Sequence, residues 1–181
     1  MAPKIRGSAR QEHEEMFAFH VKFNEGGTTD DSATAIVGAA FLDGILERTL
    51  LNFMVDDERE TAKLVEGALG TFSSRITATY CLGLICKTVR DDLRIISRIR
   101  NKFAHEVHTS FEQESIRGWC LALRWHEFSM MTKTPAEAAP REIFQVSVNQ
   151  LSSYLSGLVV VRLLERRKIC DDDRGGPTLL R

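Results

Sequence analysis

The sequence predicts an all-α fold, a single-domain bundle of about six or seven helices, from three observations. Its four prolines stand at 3, 135, 140 and 177, so no proline interrupts a helix between Lys4 and Thr134. Apolar residues recur along that stretch mostly at three- and four-residue intervals, the period of a helix with one buried face. Hydrophobic residues make up 43% of 181, enough for the core of one domain of this length. The expected organisation is a flexible N-terminus over 1–8, a helical domain over 9–167 and a disordered tail over 168–181.

The first helix is expected from about Ala9 to Phe23, ending in the turn NEGGTT. Asp30 or Ser32 caps the second, whose stripe holds Ile36, Leu42, Ile45, Leu46, Leu50 and Phe53, with Asp43 and Glu47 on its other side. A short helix covers roughly Glu58 to Glu66 and is stopped by Gly67. Phe72, Ile76, Tyr80 and Leu84 recur every four residues and mark a helix from Thr71 to Leu82, with Gly83 as its terminator. The next runs from Thr88 to Phe103. Ser110 to Gln113 reads as a capping box that opens a helix to about Met131, TKTPAEAAP forms a loop, and a long helix runs from Arg141 to Arg167.

Charge and cysteine usage narrow the function. With 24 basic and 25 acidic residues, net −1, the chain carries no molecule-wide nucleic-acid surface. Its four cysteines form no C-x-x-C pair, which predicts free thiols. The N-terminus lacks an apolar core of signal-peptide type, and no segment offers the ~18 uninterrupted apolar residues of a membrane span. A cytoplasmic protein without membrane contact is expected. His105 and His108 have metal-ligand spacing, but no cysteine or carboxylate cluster completes a site, so neither metal nor cofactor is expected.

The chemistry-bearing stretch is RIISRIRNKFAH, residues 94–105. At ~100° per residue, Val89, Leu93, Ile96 and Phe103 share one stripe and Arg100 falls among them, so its guanidinium needs a buried partner. Asp43 and Glu47 are the candidates. A functional reading is also open: His105 has the side chain to take a proton from a 2'-hydroxyl, Arg100 the charge to meet a phosphate, and Asn101 a neutral donor. Against it, cations in a last turn are favoured by the helix dipole, and Glu106 places a negative charge beside the supposed phosphate. On the helix from Ser110 to Met131, Ile116, Trp119, Cys120 and Leu123 form one apolar face and Leu121, Trp125 and Phe128 another. A helix apolar on two sides suits the centre of a bundle, and its second face is also a candidate interface for a homodimer.

LGTFSSRITATYCLGLI (69–85), followed by DDLRIISRIRNKFAH (91–105) and by Ser110 and Phe111, resembles the mannitol operon repressor family of bacteria. The shared pattern here comprises Leu69, Gly70, Thr71, Phe72, Arg75, Tyr80, Leu82, Gly83, Leu84 and Ile85, then Ile99, Arg100, Asn101, Phe103, Ala104 and His105. The resemblance implies an all-helical fold and transcriptional repression. No helix-turn-helix pattern accompanies it, so direct, sequence-specific DNA reading is doubtful and repression through a protein partner is expected. The Arg-x4-His run also looks like the HEPN superfamily, helical dimers that include metal-independent ribonucleases. That resemblance implies catalytic roles for Arg100 and His105 on an RNA substrate.

Overall fold

A computed structural model of the chain describes residues 9–24, 30–128 and 138–170, leaving aside the side chains of His126 and Phe128. It is all-α: α1 (Ala9–Asn24), α2 (Asp31–Phe53), α3 (Glu58–Glu66), α4 (Phe72–Cys81), α5 (Lys87–His105), α6 (Glu114–Leu121), a 3-10 helix (Trp125–Phe128) and α7 (Pro140–Leu164). The segments 1–8 and 171–181, expected to be a flexible N-terminus and most of a disordered tail, lie outside the described residues.

The long helices α2 and α7 form the central pair, and α5 covers another side of α2. Asp30 caps α2 through Ser32 N–H (2.9 Å). Ala35, Ala39, Leu42, Ile45 and Leu46 then bury one face against Phe144, Val148, Leu151, Leu155 and Val159 of α7 and Val89, Leu93, Ile96 and Ile99 of α5. Full burial of each large side chain stabilises by about 1.5–3 kcal/mol. Buried Asn52 ties the same pair by donating to Val159 C=O (2.9 Å).

Ile36 departs from the predicted stripe and is 39% exposed. The face of α2 turned to α7 and α5 is centred on Leu42, and Ile36 falls on the far side of it at ~100° per residue.

The helix expected from Ser110 to Met131 is broken. Ser110 C=O accepts from Gln113 N–H in a turn, Gln113 is the N-cap of α6 without a side-chain cap bond, and α6 stops at Leu121. The cause lies in α5: buried Asp92 accepts from the backbone N–H groups of Arg124 (2.9 Å) and Trp125 (2.8 Å). Those donors point at a carboxylate and not at carbonyls one turn back, so the chain bends into the 3-10 helix. Trp125, on the second apolar face in the sequence, packs on Tyr154 of α7 with ring centroids 4.8 Å apart, which suits a central place in the bundle over a subunit interface. Leu121 is exposed, and Phe128's side chain lies outside the described residues.

Beyond α7 the chain folds back onto the end of α2 through Arg166 and Arg167. Arg166 donates to the carbonyls of Met54 and Val55 and pairs with Asp56, while Arg167 N–H reaches Phe53 C=O (2.9 Å). These contacts satisfy carbonyls at and just beyond the end of α2.

Candidate functional site

The motif over 69–105 builds one continuous structure, α4 and α5 folded against α2. Its first residues set the entry to α4. Leu69 packs beside Leu50, Phe53 and Leu84 in a small second core. At Gly70 a Cβ would lie 2.6 Å from Glu66 C=O, a contact only glycine avoids. Thr71 and Ser74 form a reciprocal capping box, with Thr71 Oγ1 accepting from Ser74 N–H (3.1 Å) and Ser74 Oγ from Thr71 N–H (3.2 Å). Phe72 leans on the main core.

Arg75 lies at the centre of this unit. It is 8% exposed and donates through Nη1 to Asp43 Oδ1 and through Nη2 to Glu47 Oε2, both at 2.9 Å. The acids on α2 expected to hold Arg100 therefore hold Arg75. The spacing of Asp43 and Glu47, one turn apart, matches the fork of a single guanidinium. Helical periodicity identifies the acids but not the arginine from a separate helix that meets them.

The turn between α4 and α5 follows the same logic. Gly83, at φ +70, lets Leu84 N–H reach back to Thr79 C=O (2.9 Å) and closes the end of α4. Tyr80 lies under the Arg90 guanidinium, 4.2 Å from the ring centroid. Arg90 also holds Asp91, whose hydrogen bond raises the Arg90 pKa.

Arg100 is exposed and donates to Asn101 Oδ1 (2.9 Å). The expectation of an inward arginine is corrected: in the last turns of α5 the buried positions are Ile99 and Phe103, and this sector turns away from Arg100. Phe103 packs on Phe111, centroids 4.9 Å apart. Asn101 and His105 are exposed. α5 runs through His105 and ends on the C-cap Glu106, which pairs with Lys102. Five residues along an unbroken helix set Arg100 and His105 about 140° apart around its axis.

The thiols offer no reactive centre in the core. Burial, with Glu112 second, pushes the Cys120 thiol up to about 12, so it stays protonated. No group of three or more His, Cys, Asp or Glu with metal-site geometry occurs among the described residues. No helix among them is long and apolar enough to cross a membrane.

No family model and no curated protein matches the chain. Its structure is similar to a chain in the X-ray structure of the MtlR–HPr complex from Escherichia coli, with a TM-score of 0.60 and 20% identity over 78% of this chain and 98% of that one. The likeness establishes the fold, and that fold is found in a mannitol operon repressor, the kind of protein residues 69–111 resemble.

Proposed function

We propose that the chain is a bacterial, cytoplasmic transcriptional regulator of the mannitol operon repressor type, acting through contact with a protein partner from one helical domain over 9–167. The observation that carries this reading is the shared fold along 98% of a neighbour solved in complex with the protein HPr. The sequence pattern of that family builds a connected unit, Thr71 to Gly83 with Arg75 locked onto α2, which explains why those residue types occur together. Charge supports contact over DNA reading: the net charge is −1, and Glu106, Glu112 and Glu114 interrupt the basic residues of α5 and α6. The homodimer expected from Leu121, Trp125 and Phe128 loses its motivation, because Trp125 faces α7.

The test is a gel-shift series with promoter DNA of sugar-uptake operons in excess competitor DNA. This reading predicts no specific shift by the protein alone. A shift that survives competitor and selects one promoter overturns the indirect mode of action.

A second reading, a metal-independent ribonuclease, draws on the exposure of Arg100, Asn101 and His105 at one end of α5. It is less favoured because Arg100 and His105 diverge around the helix and Glu106 follows directly.

A further inference from the structure

Among the described residues, some arginines hold a carboxylate and others do not. Arg48 of α2, Arg75 of α4, and Arg141 and Arg162 of α7 each hold a carboxylate. Arg94, Arg98 and Arg100 of α5, Arg117 of α6 and Arg124 just beyond it are exposed, and no carboxylate among the described residues pairs with them. A chain with a net charge of −1 has acids enough to neutralise these positions as it does the others. Arg59 of α3 and Arg167 are likewise exposed without a carboxylate, but the densest run of such charge lies on α5 and the segment that follows it. α5 carries Lys87, Arg90, Arg94, Arg98, Arg100 and Lys102 against two acids, Asp91 and Asp92, and Asp92 is buried.

The ridge is also partly pre-organised. The Arg98 guanidinium stands 5.4 Å from the ring centroid of half-buried Trp119, which fixes it across the α5–α6 seam. Arginine beside tryptophan, held before binding, is the composition enriched at the centre of protein interfaces. A nucleic-acid track is the poorer fit: a polyanion gains from each successive cation, and Asp91, Glu106, Glu112 and Glu114 interrupt this surface with like charge. A folded acidic partner avoids those positions by presenting carboxylates only where the arginines stand.

We infer that the exposed α5–α6 ridge, centred on Arg94, Arg98 and Trp119, is a docking surface for an acidic protein face. This rests on the protein-contact reading above and assigns that contact to one surface and one partner chemistry.

The experiment uses the full chain and two probes: a labelled helical peptide with a row of glutamates on one face, and HPr. Wild type is compared with Arg94→Glu/Arg98→Glu, and with Arg59→Glu/Lys63→Glu on exposed α3, which changes the total charge equally. Because Arg98 touches Trp119, Lys87→Glu/Arg94→Glu, two turns apart on the same stripe of α5, provides a second ridge variant that leaves that stack intact. The expected result is peptide binding that weakens at least ~10-fold in both ridge variants and changes little in the α3 variant. Equal weakening in ridge and α3 variants, or no peptide binding by wild type, overturns the assignment. Tighter binding of a single-stranded RNA than of the peptide also overturns it in favour of a nucleic-acid surface. If HPr binds wild type and ridge variants alike while the peptide binds none of them, the surface is wrong and the regulator reading stands. If RNA alone binds, both fall.

Discussion

Arg75 of α4 and Asp43 of α2 meet at 2.9 Å across the helix interface, and Glu47, one turn further along α2, takes the other arm of the same guanidinium. The arrangement joins the motif helix to the central helix by charge as well as by packing. Arg75→Ala leaves two carboxylates facing each other without a cation. Asp43 and Glu47 retain side-chain exposures of 28% and 37%, so water screens part of the loss. The expected destabilisation is about 2–3 kcal/mol, against about 0.5 kcal/mol for Arg100→Ala. Urea unfolding of the two variants checks this, and equal midpoints refute the assignment.

Asp92 determines where α6 ends and the 3-10 helix begins. Asp92→Ala removes the acceptor of two backbone N–H groups and should cost about 2–3 kcal/mol. The loosened segment carries Trp125, so its fluorescence is expected to shift to the red in the folded variant. An unchanged spectrum together with an unchanged melting temperature would show that Asp92 does not hold the turn.

His20 gives the fold a pH dependence. Its ring Nε2 is 2.7 Å from Ser152 Oγ at the α1–α7 contact, and burial lowers its pKa below 6.5. The unfolded chain therefore takes up this proton at higher pH than the folded one. The contribution is complete above pH 6.5 and is lost as pH falls toward the folded value. His20→Gln should flatten part of the stability loss between about pH 7 and pH 5, measured as the difference in urea midpoints from wild type. Parallel pH curves for the two proteins would remove His20 from the account.

The helix positions themselves were readable from the sequence, because capping residues, glycine stops and helical period are local signals. Asp30, Gly67 and Gly83 act at the ends where their residue types place them. What escaped the sequence depends on contacts between elements. A helical wheel puts Arg100 beside Ile96 and Phe103, but the wheel does not know which neighbour covers the last turn. Ser110 to Gln113 has the letters of a capping box and forms a different turn, whereas Thr71 and Ser74 make a reciprocal cap with serine in place of the usual longer acceptor. The break after Leu121 is caused by Asp92, some thirty residues away, and no local signal announces it.

A ribonuclease and a regulator make opposite predictions at His105. Incubation with single-stranded RNA in excess chelator should give no cleavage by wild type. Were the site catalytic, 2',3'-cyclic phosphate ends would appear and His105→Ala would reduce the rate by about 10²- to 10⁴-fold. The melting temperature of that variant should be unchanged in either case, since His105 is exposed.

The most direct test of regulation by protein contact is a calorimetric titration of HPr into the full chain. The account predicts a saturable heat of complex formation that is unaffected by added promoter DNA. Absence of any heat with HPr, beside a specific, competitor-resistant complex with DNA, would contradict it.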